Sequence, residues 1–319
     1  MITVLAGGVG AARMLAALAL VHDPADTWAV ANVGDDLELH GLHISPDLDT
    51  ITYTLAGAIN PDTGWGLARE TWQAMDTLRR YGGQDWFGLG DRDLGTHLYR
   101  TQRLAEGATL TEVTAEITGA WGLEQHLLPV TEDRLRTRFR VAGEGGSGGE
   151  GGDGEISFQQ YFVQRRHDVP VQSVRFAGAA SCRPGPDVLR VLADAERIVI
   201  APSNPLISID PVLAVPGVRQ AVEARRDAAV AVSPIIAGAA VKGPADRLLA
   251  ELGHEASVVG VARLYSSLAA TLVIDHADAE LAPAVEAEGM GCVVTGTVMF
   301  SDEASAGLAR TVLGPVAVP

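Results

Sequence analysis

The stretch ITVLAGGVGAARMLAALALV, Ile2 to Val21, reads as strand, glycine loop and helix in immediate succession. Ile2 to Ala6 is a short apolar run of buried-strand type. The loop through Gly7, Gly8 and Gly10 cannot hold a regular element, and apolar residues resume at Met14. A second such strand, TWAVANVG (Thr27 to Gly34), follows at once. The C-terminal half repeats the alternation. VQSVRFAG, RIVIAPS, AAVAVSPII, TLVIDH and CVVTGTVM read as strands. PDVLRVLADA, PVLAVPGVRQAVEARR (its first turns interrupted at Pro216), ADRLLAELG, AELAPAVEAEG and DEASAGLARTVLG lie between and after them as helices. Continuous Val/Ile/Ala strands with amphipathic helices between them predict a parallel sheet covered on both faces. The expected class is therefore α/β: a doubly wound, mainly parallel, Rossmann-like sheet.

The middle of the chain differs. RETWQAMDTLRRYG, TLTEVTAEITGAWG and EDRLRTRFRV carry mostly helical patterns. This predicts a core formed by residues 1–49 and 165–319, with a mostly helical insertion at 50–164. Within it the tract GEGGSGGEGGDG, residues 143–154, has nothing apolar to anchor it and is expected as a mobile surface loop. ISFQQYFVQRR, just after it, alternates well enough for a strand that pairs with the run ending at Val141.

Composition narrows the function. A 47% hydrophobic and 20% charged chain of 319 residues is an ordinary globular protein. A formal charge of -16 argues against a nucleic-acid partner and against adsorption to an anionic membrane. The apolar run MLAALALV is too short to span a bilayer and follows a glycine loop, not a basic leader, so the expected location is cytoplasmic. Cys182 and Cys292 match no metal or redox spacing. Every cation but one among the 24 is Arg; the exception is Lys242.

Chemistry concentrates at four places. Gly8 and Gly10 form two-thirds of a dinucleotide fingerprint whose third glycine is replaced by Arg13. They suit either a phosphate at a helix N-terminus or a plain tight turn. The stretch ANVGDDLELHGLHISPDLDT, Ala31 to Thr50, sets Asp35, Asp36, Asp47 and Asp49 close together with almost no balancing cation. Paired carboxylates on neighbouring loops suit a hard cation that bridges phosphates; turn and capping aspartates are the competing reading. Trp65, Trp86 and Phe87 are placed to line a slot for a flat ring, with Asp91, Arg92, Asp93, His97 and Arg100 as polar contacts. Core aromatics beside surface ion pairs would look the same. Ser203, Asn204 and Ser208 offer groups for a base or ribose. Lys242 offers a point charge for a phosphate.

These motifs, taken in order through nearly the whole chain, resemble the 2-phospho-L-lactate transferases (CofD/FbiA type). AGGVGAAR, NVGDDLELHGLHISPDLDTITYTLAG, DWFGLGDRDLGTHLYRT, APSNPLISIDPVLAVPG and VSPIIAGAAVKGPAD carry the resemblance. It implies a cytoplasmic, homodimeric enzyme of coenzyme F420 biosynthesis. A guanosine diphosphate-linked lactate or enolpyruvate would donate its phosphorylated three-carbon unit to the deazaflavin Fo, with magnesium as cofactor. Asp35 and Asp49 would hold the metal, and Asp36 and Asp47 would lie behind them or accept the attacking proton. Arg13 and Lys242 would neutralise charge, Ser203 and Asn204 hold the guanosine, and the region from Trp86 to His97 hold the deazaflavin. Ser45 stands where other members carry Cys, a departure expected to matter little. Two rivals are weaker. A non-enzymatic nucleotide-sugar-binding regulator (YvcK type) should lack the paired acids, and a nicotinamide oxidoreductase lacks a clear ribose-binding acid.

Overall fold

The computed structural model describes residues 1–142 and 154–314, and no helix among them is long and apolar enough to cross a membrane. Seven strands build the central sheet: β1 (Ile2–Ala6), β2 (Thr27–Ala31), β3 (His126–Pro129), β4 (Arg197–Ile200), β5 (Ala229–Val232), β6 (Thr271–Asp275) and β7 (Gly291–Thr295). Their spatial order is β7-β6-β5-β4-β1-β2-β3, and every neighbouring pair is parallel. All of β1 and β5 is buried, as strands covered on both faces must be. The chain runs outward from β1 to β3, then returns to the other side of β1 and runs outward again. That reversal between β1 and β4 is the switch point at which open α/β sheets bind ligands.

Helix α1 (Gly8–Ala19) leaves the sheet directly after β1 and buries Ala11, Ala12, Met14, Leu15, Ala17 and Leu18. It packs against α2 (Pro46–Leu55) and against the helix Asp302–Leu313. Pro46 occupies the first turn of α2, where its missing N–H costs nothing. Asp47 and Asp49 share that turn, so both carboxylates sit at the positive end of the helix dipole.

Residues 50–164 include the helices Gln73–Arg80, α3 (Asp91–Ala105) and Leu110–Ala120. They also supply β3 to the central sheet. Two segments depart from the sequence reading. The run expected to be helical at residues 132–141 contains the strand Arg136–Val141, because its residues alternate with period two: Thr137, Phe139 and Val141 point inward and Arg140 outward. This strand pairs antiparallel with Glu155–Ser157 and with Val171–Ala177, forming a separate three-stranded sheet. VQSVRFAG is thus a strand, but its four middle residues are only partly covered or exposed and it does not join the parallel core. The expected hairpin partner stops at Ser157, and the chain continues as a π-helical turn at Gln160–Gln164. The glycine tract at 143–154 lies, except for Gly154, outside the described residues.

Ile200 ends β4 at full burial beside the switch point. Ile200→Ala should destabilise the fold by about 2–5 kcal/mol, the range for deleting a buried aliphatic side chain. Denaturant unfolding measures it; a loss below about 1 kcal/mol would mean that the core closes around the gap.

Candidate active site

A cavity of about 380 Å³ opens at the carboxyl edge of the sheet, over the switch point. The loops after β1, β2, β4, β5 and β7 all reach it, joined by the first turn of α2 and the start of α3. Of the residues singled out in the sequence, Gly8, Gly10, Arg13, Asp35, Asp47, Asp49, Trp65, Phe87, Asp93, His97, Ser203, Asn204, Ser208 and Lys242 line it, whereas Asp36, Trp86, Asp91, Arg92 and Arg100 do not.

The glycine loop is built for close packing. A Cβ on Gly10 would lie 2.1 Å from the carbonyl oxygen of Pro202, and one on Gly7 would lie 2.8 Å from that of Ser208. Only glycine lets the loops after β1 and β4 meet. The Ser203 hydroxyl then donates to the Gly7 carbonyl at 2.7 Å. The Asp47 carboxylate lies beside the N–H of Gly8 at the head of α1 and is stabilised by it. A protein anion therefore already occupies part of the helix N-terminus expected to cradle a phosphate.

The acidic motif divides in two. Asp35, Asp36, Asp47 and Asp49 are 3%, 4%, 8% and 5% exposed. Asp47 accepts from Asn32 Nδ2 at 3.0 Å, and Asn32 Oδ1 accepts from the Gly34 N–H at 2.7 Å, so Asn32 ties the two loops together. Burial first, and the charge of Asp47 next, push the Asp35 carboxyl well above the usual range, against the nearby polar groups of Thr137 and Asn32. Burial likewise lifts Asp47 to about 7, against hydrogen bonds from Asn32 and Gly8. Asp36 accepts from the Ser45 hydroxyl at 2.9 Å and lies 3.0 Å from His43 Nε2. Ser45, at the position where α2 would ordinarily be capped, makes no cap and spends its hydroxyl here instead. The expectation that Ser45 matters little overlooks this bond. Oδ1 of Asp35 and Oδ1 of Asp36 are buried and have no hydrogen-bond partner.

Asp49 belongs to the other group. Its two oxygens accept a fork from Arg100, one bond at 3.1 Å from Nη1 and a second from Nη2. Burial pushes this carboxyl up and the Arg100 charge pulls it back. His97 lies between, with Nδ1 3.7 Å from Asp49 and Nε2 3.3 Å from Asp93. The Tyr53 hydroxyl donates to Asp93 at 2.6 Å. Burial raises the Tyr53 phenol far above its ordinary value, which keeps it a donor. The cation missing from the local sequence is therefore supplied in part by Arg100, 51 residues beyond Asp49.

Carboxylate oxygens without partners suit a hard divalent cation, and among the described residues Asp35 and Asp36 each carry one. Among the described residues, Asp49, Asp93 and His97 are the three that bring ligand atoms within 4.8 Å of one another; Asp35, Asp36 and Asp47 do not converge so closely. Arg100 already neutralises that group, so it fits a second cation poorly. The expected joint use of Asp35 and Asp49 as ligands is thus unequal: the strongest charges on Asp35 are Asp47 and Asp36, whereas Asp49 is engaged by Arg100.

Three expected contacts lie elsewhere. Asp91 caps the helix Gln73–Arg80, accepting from the N–H groups of Gln73 and Ala74 at 3.0 Å each. Arg92 donates to the carbonyl of Ala68. Trp86 packs edge-on against Phe87, centroids 5.8 Å apart, and only Phe87 reaches the cavity. The aromatic wall also draws on Trp65, 50% exposed, and on Phe158 and Phe162, stacked at 5.4 Å. Lys242 is exposed, and its Nζ donates to the Thr63 carbonyl at 2.8 Å. Partial burial, and then the nearby charge of Arg13, depress its ammonium. Two cations thus line the cavity near one another.

A family model described as 2-phospho-L-lactate transferase CofD matches residues 2–295. A phosphoenolpyruvate transferase of Kitasatospora aureofaciens is 42% identical over 315 residues, covering 98% of this chain and 96% of that protein. One from Streptomyces griseus is 42% identical over 314 residues, with 98% and 97% covered. One from Mycobacterium avium is 40% identical over 336 residues, with 96% and 97% covered. Among solved structures, a UPF0052-family protein from Bacillus halodurans superposes with a TM-score of 0.62 at 14% identity, covering 98% of both chains. That last likeness concerns the fold alone.

The raised Asp47 carboxyl carries a stability signature. An acid that holds its proton more tightly folded than unfolded contributes its full stability below its ordinary value of 3.8 and loses it as the pH rises to about 7. Without divalent cations, the melting temperature should fall from about pH 4 to about pH 8, and Asp47→Asn should flatten that fall. Parallel profiles for the two proteins would contradict the assignment.

Proposed function

The chain belongs to the 2-phospho-L-lactate transferase (CofD) family, and on that footing we propose that it transfers a phosphoenolpyruvyl group. The donor would be guanosine diphosphate-linked enolpyruvate, the acceptor the ribityl hydroxyl of the deazaflavin Fo, and the leaving group GMP. The observation that carries this reading is one cavity lined by charges of both signs. Arg13 and Lys242 supply positive charge to it, and Asp35, which lines it beside Asp47, carries a buried oxygen with no hydrogen-bond partner among the described residues; Asp36 lies next to Asp35, outside the lining. A diphosphate with a divalent cation satisfies both at once. The relatives named phosphoenolpyruvate transferases favour enolpyruvate over lactate as the three-carbon unit.

Phosphoryl transfer asks the protein for positioning and charge neutralisation. In our reading Arg13 and Lys242 hold the donor's phosphates, Lys242 exchanging its bond to the Thr63 carbonyl for one to phosphate oxygen. The loop from Ser203 to Ser208 receives the guanosine, and Trp65, Phe87, Phe158 and Phe162 enclose the flat deazaflavin. The acceptor oxygen attacks the phosphorus bearing the enolpyruvyl oxygen as the bond to GMP breaks. The acceptor's proton would pass to the Asp47 carboxylate, which lines the cavity beside the glycine loop. Asp35, with Asp36, Asp47 and Asp49 around it, would hold magnesium, which would supply charge neutralisation for the diphosphate.

Mass spectrometry after incubation with Fo and each donor tests the reaction: the product should be the enolpyruvyl phosphodiester of Fo, released together with GMP. Its absence, with folded protein and magnesium present, would refute the proposal. Asp35→Asn should lower the transfer rate by about 10²-fold or more, the scale of losing one pre-organised electrostatic group. Lys242→Ala should weaken GDP binding about tenfold or more, since a hydrogen bond to a charged group contributes ~1.5–3 kcal/mol. A dissociation constant equal to that of the wild type, measured by calorimetry, would remove the phosphate contact.

A further inference from the structure

The face of α3 turned toward α2 is polar. Asp93 and Thr96 meet the Tyr53 hydroxyl, His97 sits between Asp93 and Asp49, and Arg100 grips Asp49. Arg100 is 1% exposed, a large cation taken wholly out of water. Its two nitrogens bond both oxygens of Asp49, and Nη1 also lies 3.4 Å from His97 Nδ1. A donor at Nδ1 places the ring proton on Nε2, which faces Asp93. A planar fork fixes both the position and the plane of a carboxylate, which a lysine in its place would not do. Each Asp49 oxygen still has a lone pair to offer the cavity that Asp49 lines.

We infer that Arg100 is a positioning residue: it fixes the orientation of the Asp49 carboxylate that meets the metal–diphosphate group. This rests on the reading that the cavity binds a nucleoside diphosphate with a divalent cation. Side chains that orient metal ligands from behind commonly alter metal affinity by about 10–100-fold without touching the metal. Arg100 comes from the helix that also contributes Asp93 and His97 to the cavity, so the geometry of Asp49 depends on how α3 seats against α2.

The test is GDP binding to the full chain, by calorimetry, with and without magnesium, for wild type, Arg100→Met, Arg100→Lys, Asp49→Asn and the double variant Asp49→Asn/Arg100→Met. Arg100→Met should lose about tenfold or more of the magnesium-dependent affinity while its metal-free GDP affinity stays at the wild-type value. Arg100→Lys, which keeps the charge and loses the fork, should fall between the two. The double variant should bind no worse than Asp49→Asn, because both changes remove one oriented group. A folded Arg100→Met that keeps the full magnesium effect overturns the inference. If Arg100→Met fails to fold, Arg100→Lys decides: a reduced magnesium effect supports the role, and an unchanged one overturns it. A wild-type protein whose GDP binding ignores magnesium would instead sink the functional reading itself, and the inference with it.

Discussion

The site rests on the burial of like charges. Asp35, Asp36 and Asp47 are buried beside one another; the charges of Asp47 and Asp36 raise the cost of ionising Asp35, and that of Asp36 raises the cost of ionising Asp47. Water cannot relieve that repulsion, and an isolated buried carboxylate is costly enough that it normally takes up a proton instead. The fold provides partial remedies: the amide of Asn32, the hydroxyl of Ser45 and the dipole of α2. Among the described residues, one oxygen each of Asp35 and Asp36 has no partner. In the proposed function a divalent cation shared with a diphosphate would complement them, at the switch point where the loops after β1 and β4 converge.

The second half of the acidic motif follows the opposite rule. Asp49 lies only two residues beyond Asp47, one step further along the first turn of α2, yet it faces α3 and a guanidinium. One short helix turn thus aims neighbouring carboxylates into different surroundings: one group short of positive charge, the other already neutralised. In the proposed function the first group would hold the cation, while Arg100 sets the orientation of Asp49 in the second. Lys242 and Arg13 line the same cavity.

The parallel core was legible because buried strands announce themselves. ITVLA, RIVI, AVAV and TLVID are continuous apolar runs bounded by glycine, proline or helix signals, and all four lie in the central sheet. The short strand HLLP was not legible, since four residues ending in proline show no period. EDRLRTRFRV carried a mostly helical pattern, yet its end at Val141 was also legible as a hairpin partner for the segment after the glycine tract, and the pairing of Phe139 with Ile156 is that hairpin. At the site, residues near one another in sequence were found readily, including Gly8, Gly10, Asp35 and Asp47. The partnership of Arg100 with Asp49 spans 51 residues and leaves no local pattern. Asp91 and Arg92 carry the same kinds of group as Asp93, yet they serve helix capping and loop closure; only the rotation of α3 separates these roles. Phe158 and Phe162 reached the aromatic wall through a π-helical turn that a strand-like alternation had concealed.

The most direct measurement is the anomalous signal of manganese in a crystal grown with GDP. The account predicts a peak in contact with Asp35 and with oxygens of both phosphates, and Arg100 still holding Asp49 from behind. A peak seated among Asp49, Asp93 and His97 with Arg100 displaced, or no peak near any of these aspartates, would contradict it.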